Sequence, residues 1–213
     1  MLQEIFALYR DRSDWFRELF IAHMRLCGIS ILIAGCIGLV LGILIAEHRR
    51  FAPPVIGVCN VVYTIPSIAL LGMLIPLLGI GDKPAITALC IYGMMPMVRN
   101  TYTGVSTIEP ELIEAARGMG STDSQILWRV KLPMAMSVIL AGLRSMVVMI
   151  IAMGGIAAYI GASSLGVAIF RGISMYNTAM TCAGSILIAA LALIADFILS
   201  RVEKHLRKKR RMK

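Results

Sequence analysis

Charged residues are scarce in this chain of 213 residues, where Lys, Arg, Asp and Glu make up 15% of the sequence. In ordinary soluble domains about a quarter of all residues are charged. Aromatic residues are also few, at 7%, while 58% of the residues are hydrophobic. So few charges cannot cover the surface of a water-soluble globule of this length. The composition therefore excludes an ordinary soluble domain and predicts that a lipid bilayer covers part of the surface.

Motifs for catalysis, metal binding and nucleotide binding are also missing. The sequence contains no G-x-x-x-x-G-K-[ST] phosphate-binding loop and no H-E-x-x-H zinc motif. Its five cysteines have no paired spacing and all lie in apolar runs, which favours small packing residues over disulfides or a zinc site. The cysteine pattern therefore predicts no disulfide framework and no metal site in this chain.

Long uncharged runs separate the charged clusters and predict membrane spans. A spanning helix needs about 20 mainly apolar residues, and several runs reach that length. We predict an all-α polytopic membrane protein with about five transmembrane helices in one domain. Its predicted parts are an amphipathic N-terminal helix at 1–22, spans one to three within 23–107, a polar loop at 108–132, spans four and five within 133–199, and a basic tail at 200–213.

The second apolar run, Phe51 to Gly81, is too long for one straight span. Its 31 uncharged residues would extend about 46 Å as a helix, against a hydrocarbon core of about 30 Å. We predict one span interrupted at Pro66 or Pro76, because neighbouring helices can satisfy the backbone groups that a proline frees. In the alternative, the run makes two crossings and the protein has six spans.

The formal net charge of +9 is concentrated at the C-terminus, where residues 201–213 contain eight Lys and Arg and one Glu. The positive-inside rule places this tail and the polar loop in the cytoplasm, and five spans then place the N-terminus outside. Four arginines near the N-terminus run against the rule, and the six-span alternative places that end inside. Orientation and contact with anionic membrane lipids account for the basicity, so no nucleic-acid partner is expected.

The polar loop has the pattern of two short helices joined by a glycine turn. Pro110 suits the first turn of a helix, and the glutamates around it suit the positive end of the helix dipole. The sequence Gly-Met-Gly at 118–120 breaks this helix, and a second amphipathic helix leads to the span that begins at Pro133. A protrusion of this kind on the cytoplasmic face predicts a docking site for a soluble partner.

The same loop resembles the EAA loop, E-A-A-x3-G-x9-I-x-L-P, of membrane subunits of bacterial ATP-binding-cassette (ABC) importers. Six of the seven motif positions match at fixed spacing, and the remaining one has valine in place of isoleucine. The motif falls on Glu114, Ala115, Ala116, Gly120, Val130, Leu132 and Pro133.

This resemblance implies the type I (MetI-like) importer permease fold with cytoplasmic coupling helices, in the bacterial inner membrane. It implies a subunit with no catalytic residue and no bound cofactor of its own, in agreement with the missing motifs. It also implies three protein partners: a cytoplasmic ATPase dimer that binds ATP and Mg²⁺, a second permease copy, identical or related, and an extracytoplasmic substrate-binding protein. In the family the loop docks into a groove on the ATPase. By the same resemblance Glu114 makes the polar contact there, Ala115 and Ala116 allow close approach, and Gly120 turns the chain.

Two further stretches resemble the osmoprotectant branch of these permeases, which imports glycine betaine, carnitine, choline or related compounds. They are TIPSIALLGMLIPLLGIG at 64–81 and AYIGASSLG at 158–166, where Ser163 and Ser164 replace two glycines of the usual branch pattern. The resemblance implies osmoprotectant transport. The alternatives are an importer for another small solute, such as an amino acid, and an ion-coupled secondary transporter, for which we find no inverted repeat or midplane carboxylate.

Several polar residues within the apolar runs are candidates for the substrate pathway. Asn60, Thr64 and Ser67 have helical spacing and predict one polar stripe, with Tyr63 beside it; the alternative is hydrogen bonding between helices. Tyr159 could offer an aromatic face to a quaternary ammonium ion, or it could belong to an interfacial aromatic belt. The candidate pathway residues are Asn60, Tyr63, Thr64, Ser67, Tyr159, Ser163 and Ser164.

Arg144 is a charge inside the predicted fourth span. A central arginine is costly in a bilayer, so it must reach the inner face or pair with a carboxylate. Asp196 is the acidic residue at comparable depth, which predicts an ion pair between Arg144 and Asp196.

Overall fold

The structure is a computed structural model that describes the backbone of residues 1–211 and the side chains of residues 1–206. This part of the chain is helical without strands, which confirms the all-α prediction. The side chains of the predicted basic tail beyond residue 206 lie outside the described residues. The α-helices are α1 Leu2–Asp11, α2 Ser13–Glu47, α3 Ala52–Thr64, α4 Ser67–Leu78, α5 Asp82–Ser106, α6 Pro110–Gly118, α7 Asp123–Ile126, α8 Leu132–Ile156, α9 Gly166–Ser174 and α10 Thr178–Arg211.

The first spanning helix begins earlier than the sequence predicts. The backbone leaves helical geometry at Arg12, and α2 then runs unbroken through the boundary predicted for the first span. Phe16 and Leu19 are buried on the early turns of this helix, so contacts with the rest of the protein stabilise its extension. The Tyr9 hydroxyl donates to the Ala183 carbonyl at 2.7 Å and holds α1 against the first turns of α10. Burial raises the pKa of Tyr9, so the hydroxyl keeps its proton for this bond at neutral pH.

The second apolar run is broken at Pro66, one of the two predicted positions. α3 and α4 meet there at a bend of 98°. Pro66 lacks an N–H donor and forces the preceding residue, Ile65, into extended backbone with ψ of 127°. The Tyr92 hydroxyl donates to the Ile65 carbonyl and satisfies an acceptor at the bend. Pro76 lies inside α4 without ending it.

α5 is the central helix and packs against both α2 and α8. By length and composition, three helical segments of the described chain suit membrane spans, namely Ser13–Glu47, Asp123–Ile160 and Thr178–Leu206, and the bent α3–α4 pair makes a fourth if it is one span. α5 is not among them, although its 25 residues extend roughly 37 Å. Protein rather than lipid covers most of α5, so it can carry more polar residues than a lipid-facing helix.

Small residues allow α2 to approach α5 closely. A Cβ added at Gly42 would lie 2.5 Å from the Thr101 Cβ, and one at Gly38 would lie 2.8 Å from the Met97 Cβ. Glycines four residues apart are a common contact between membrane helices, because the two backbones can then pack directly. This contact fixes the core of the bundle.

Polar contacts mark the two ends of the bundle. At one end Lys131 lies 2.7 Å from Glu47 and joins α8 to α2. At the other end Arg25 lies 3.0 Å from Asp82 and joins α2 to α5.

Within residues 1–211 the chain passes between these ends five times, through α2, the α3–α4 pair, α5, α8 and α10. α1 lies at the Arg25 end, opposite the polar loop, as the five-span prediction requires. Which end faces the cytoplasm stays a prediction.

α9 is a short helix that the sequence analysis did not separate from its neighbouring spans. It follows a turn in which Gly161 has a positive φ of 80°. A Cβ at Gly166, the first residue of α9, would collide with the Gly155 carbonyl of α8. α9 therefore packs directly on the end of α8, at the end of the bundle away from the polar loop.

Candidate coupling loop and transport cleft

The first helix of the polar loop, α6, divides the EAA triplet between two surfaces. It begins at Pro110, whose fixed φ suits the first helical turn. Glu114 and Ala115 are exposed, whereas Ala116 is only 4% exposed. The resemblance assigned close approach to both alanines, but the structure leaves only Ala115 on the outer surface. Ala116 packs inside the loop because it lies on the face of α6 that is turned inward.

The turn between α6 and α7 is held by local hydrogen bonds and one ion pair. Gly120 has φ of 84°, a conformation that glycine adopts without steric cost. Thr122 and Gln125 form a reciprocal capping box at the start of α7, with bonds of 3.3 and 2.9 Å. Arg117 lies 2.8 Å from Asp123 and ties the two helices together. The loop is thus a defined helical hairpin, which we call the coupling hairpin, residues 110–131.

The second hairpin helix continues into the span without a break. The sequence predicts that the fourth span begins at Pro133. In the structure, Asp123–Ile160 is one helical segment of 38 residues, so this prediction was wrong. Residues 127–131 form a wider π-helical turn. This turn accommodates the ring of Pro133, which has no N–H to donate to the preceding turn. Val130 is half-buried and Leu132 is buried. The Lys131–Glu47 ion pair braces this junction against α2.

Large apolar side chains on the coupling hairpin were missed by the sequence analysis. Met119 is 81% exposed at the polar turn of the hairpin, whereas Trp128 is 65% exposed beside apolar residues of α2 and α8, among them Leu39 and Leu132. Exposed apolar groups rimmed by polar residues are typical of protein interaction surfaces. The sequence signal for Met119 was available, because this residue lies between two glycines in a polar loop outside the predicted spans.

The predicted polar stripe is not continuous. Asn60 and Thr64 lie on α3, but Ser67 begins α4 beyond the bend, so the three side chains do not share one helix face. The Thr64 hydroxyl donates to the Val61 carbonyl on its own helix. The spacing argument assumed a single helix and was wrong in that respect, because Pro66 turns the chain before Ser67.

Asn60 and Tyr63 line a cleft of about 190 Å³ between α3 and α5. The Arg99 Nη2 donates to the Asn60 Oδ1 at 2.5 Å. The Tyr63 ring contacts the Tyr92 ring edge to face, with centroids 5.8 Å apart, and its hydroxyl lies 3.2 Å from the Met149 sulfur. Arg99 had no predicted role, because it directly follows the uncharged run that ends at Val98. We call this the α3–α5 cleft.

The other predicted pathway residues lie elsewhere, at the end of the bundle that carries α9. Tyr159 is 62% exposed and contacts the Phe170 ring at 5.8 Å between centroids. The Ser163 backbone N–H donates to Asp82 at 3.1 Å. Ser164 is fully buried, and its hydroxyl accepts from the Gly166 N–H at 3.2 Å. Ser164 thus shapes the turn before α9.

Arg144 and Asp196 face each other across α8 and α10. The Arg144 Nε and Nη2 donate to the two Asp196 carboxylate oxygens at 2.5 and 2.7 Å. Glu203 lies 3.9 Å from the same guanidinium. A guanidinium binds a carboxylate well through two parallel hydrogen bonds, so this geometry ties the two helices firmly. What the pair does in transport stays a prediction.

The described residues show no group of three or more His, Cys, Asp and Glu side chains that could hold a metal ion. The five cysteines are free thiols in different surroundings, from buried Cys27 to exposed Cys36.

Comparison with known proteins places these features in a family. Residues 38–211 match the profile of the binding-protein-dependent transport system inner membrane component family. The osmoprotectant import permease protein OsmW of Salmonella typhimurium is 42% identical over 198 residues, which are 91% of this chain and 92% of that protein. The glycine betaine/carnitine/choline transport system permease protein OpuCD of Bacillus subtilis is 39% identical over 97% of this chain and 90% of its own length.

A solved structure shows the same fold. The chain superposes on the inward-facing MetNI methionine ABC transporter with a TM-score of 0.80, at 24% identity, covering 91% of this chain and 97% of the other. The expected type I importer permease fold is thereby confirmed. The chain belongs to the family of binding-protein-dependent transport system inner membrane components and is a membrane-spanning permease.

Proposed function

We propose that the chain is the permease of an ABC importer for quaternary ammonium osmoprotectants such as glycine betaine, carnitine or choline. The relative at 42% identity is named an osmoprotectant import permease, the relative at 39% a glycine betaine/carnitine/choline permease, and both match more than nine-tenths of the chain. ATP and Mg²⁺ belong to a separate ATPase dimer, and this chain contributes no catalytic group. A second copy, identical or related, completes the pathway, and an extracytoplasmic binding protein supplies the solute.

The observation that carries the coupling role is the continuity of the coupling hairpin with α8. A force on α6 reaches α7 through the short turn at Gly120, where backbone hydrogen bonds join Gly120 to Arg117 and Ser121 to Ala116. α7 is one helical segment with α8. Lys131 and Glu47 connect the same point to α2. A rigid connection of this kind can turn closure of the ATPase dimer into movement of the membrane helices.

The surface of α6 suits docking to a groove on the ATPase. Glu114 is exposed and supplies a charge for a polar contact, and the small Ala115 beside it lets a partner approach closely. Met119 and Trp128 add apolar area on the same hairpin. Gly120 provides the turn, while Ala116, Val130, Leu132 and Pro133 support the hairpin from its membrane side.

The orientation follows from this docking. The coupling hairpin and the basic C-terminal tail face the cytoplasm, where the tail contacts anionic lipid. The end with α1 and α9 then faces outward, toward the binding protein. The protein acts in the bacterial inner membrane.

The docking role is tested with Glu114→Lys in the assembled transporter. We expect loss of co-purification with the ATPase and at least a tenfold fall in ATP-driven uptake, because the reversed charge opposes the polar contact. Glu18→Lys makes the same charge change on an exposed position of α2, at the opposite end of the bundle, and should leave co-purification with the ATPase within twofold. Normal assembly and uptake in Glu114→Lys would refute the docking role.

The substrate class is tested by uptake into proteoliposomes that contain the permease, its ATPase and its binding protein. We expect ATP-dependent accumulation of radiolabelled glycine betaine, carnitine or choline, and none of methionine. Accumulation of methionine, with none of the three quaternary ammonium compounds, would contradict the proposed substrate class.

A further inference from the structure

The α3–α5 cleft holds a positive charge that nothing in the described chain neutralises. Arg99 is exposed, and among residues 1–206 no carboxylate lies within ion-pair distance of it. Its hydrogen bond in that part of the chain goes to the neutral amide of Asn60. Arg144, in contrast, is matched by Asp196. An arginine within a membrane span faces a bundle interior or a water-filled cavity rather than lipid.

The position of Arg99 along α5 places this charge within the membrane. It lies 17 residues after Asp82 and seven before Ser106, so it is roughly 10 Å from the coupling-hairpin end of the helix. Asn60 approaches from the middle of α3, whose outer side chains, Val58 and Val61, are 64% and 67% exposed. The cleft therefore opens on a face of the bundle where water or a second permease must cover the charge.

An aromatic ring is fixed beside this charge. Tyr63 is one helical turn after Asn60, so the two side chains are neighbours on α3. The Tyr63 ring is 50% exposed, while Tyr92 and Met149 restrain it from behind. The face of a tyrosine ring attracts a quaternary ammonium ion, and the free N–H groups of a guanidinium bind a carboxylate. The cleft thus offers a site for each end of a small zwitterion.

We propose that the α3–α5 cleft is a selectivity site for zwitterionic substrates on their way through the permease. Arg99 binds the carboxylate, Asn60 orients the guanidinium, and Tyr63 contacts the ammonium end. The volume of about 190 Å³ suits a small solute, since pockets for drug-sized ligands are about 300–1,000 Å³. Glycine betaine and carnitine have both charges, whereas choline lacks the carboxylate and is repelled by the arginine. This site rests on the proposed substrate class and deepens it.

Binding to the assembled permease and ATPase in nanodiscs, without the binding protein, tests the site directly. Saturation-transfer NMR measures the dissociation constants of glycine betaine and choline separately. We expect Arg99→Gln to weaken glycine betaine binding at least tenfold and to change choline binding by less than twofold. Tyr63→Leu should weaken the binding of both solutes, because both carry the ammonium. Arg50→Gln, which changes another exposed arginine, on the turn before α3, is the matched control and should change neither.

Three results would overturn the site: no saturable binding of glycine betaine to the unchanged transporter, an equal loss for both solutes in Arg99→Gln, or unchanged binding in Tyr63→Leu. If Arg99→Gln does not assemble, the site is tested with Arg99→Lys and Tyr63→Leu instead. Because lysine keeps the positive charge, Arg99→Lys must still bind glycine betaine more tightly than choline. Uptake in proteoliposomes is measured in parallel. Uptake of quaternary ammonium compounds with a negative binding result refutes only this site, whereas absence of that uptake refutes the proposed substrate class.

Discussion

Arg144 and Arg99 are both arginines within helices of the membrane bundle, and their surroundings differ. Arg144 lies between α8 and α10, where two hydrogen bonds to Asp196 neutralise it. Arg99 lies in the α3–α5 cleft, where its described partner is an amide. The first charge is used inside the protein to hold two helices together. The second is left available, which is what a site for an anionic group needs.

Glycine packing shows the same difference between the two regions. In the core of α2, α5, α8 and α9, an added methyl group would collide with a neighbour at Gly42, Gly93 and Gly166. At Gly57 on α3 nothing lies within 4 Å of the added group. The core is therefore closely packed and suited to move as a unit, whereas α3 stands apart and leaves room beside the cleft.

The largest expected effect comes from Gly166→Ala. The new methyl group would collide with the Gly155 backbone carbonyl, which cannot rotate away as a side chain would. We expect destabilisation by about 3 kcal/mol or more and loss of most folded protein. Size-exclusion chromatography and thermal unfolding in detergent measure the effect.

Gly57→Ala is the matched substitution on the cleft side. It should leave the melting temperature unchanged or slightly higher, because alanine favours a helix over glycine by about 0.5–1 kcal/mol. Equal destabilisation by both substitutions would remove the distinction between a packed core and an open α3.

The next largest effect is expected for the Arg144–Asp196 pair. Arg144→Asp would place a carboxylate beside Asp196 and near Glu203, so we expect lower thermal stability and at least a tenfold loss of uptake. The double exchange, Arg144→Asp with Asp196→Arg, should recover at least half of the uptake by re-forming the pair with its charges exchanged. A double variant that transports no better than either single variant would show that the pair is not needed.

A smaller effect is expected at the base of the coupling hairpin. Lys131→Gln removes the ion pair with Glu47, which is mostly shielded from solvent. We expect a loss of stability of about 1–3 kcal/mol, because Glu47 is left charged and unpaired in a mostly shielded position. Uptake per ATP hydrolysed should fall two- to fivefold, because the hairpin is less firmly tied to α2. Arg129→Gln, on the same turn but exposed and without an ion pair among the described residues, is the control. Unchanged coupling in Lys131→Gln would argue that α8 alone transmits the movement.

The smallest effect is expected for Tyr159→Leu, which changes a predicted pathway residue far from the cleft. Its ring contacts Phe170 and lies at the end of the bundle near α9. Uptake of glycine betaine should stay within twofold of the unchanged protein. A loss as large as that of Tyr63→Leu would move the selectivity site toward the outer end of the bundle.

The sequence predicted the features that depend on local pattern. Apolar runs gave the helical class, Pro66 gave the break in the second run, and the spacing from Glu114 to Pro133 gave the family and the coupling hairpin. The Arg144–Asp196 contact followed from the cost of an isolated charge in a bilayer. These predictions require only the composition of the chain, the backbone restrictions of proline and the position of a residue along a predicted span.

The remaining features depend on three-dimensional packing. The run before α9 contains no charge or proline, and its glycines, Gly154-Gly155 and Gly161, do not by themselves tell a packing position in a span from the end of α8 at Ile156. Ser67 does not share a helix face with Asn60 and Thr64, because a 98° bend sets the direction of α4. The helical spacing of the three residues does not encode this bend. Arg99 becomes a candidate functional residue only in the folded structure, where α3 places Asn60 and Tyr63 beside it. Such juxtapositions involve residues about 40 positions apart in sequence.

The central claim is that the α3–α5 cleft is an aqueous part of the transport pathway, and two native cysteines test it. Cys59 lines the cleft, whereas Cys36 is exposed on α2 away from it. Single-cysteine variants in the assembled transporter are labelled with a charged, membrane-impermeant thiol reagent. We predict that Cys59 reacts at least tenfold faster than Cys36, at a rate that changes with ATP and falls when glycine betaine is present. Equal rates, or no reaction of Cys59 in any nucleotide state, would contradict the account.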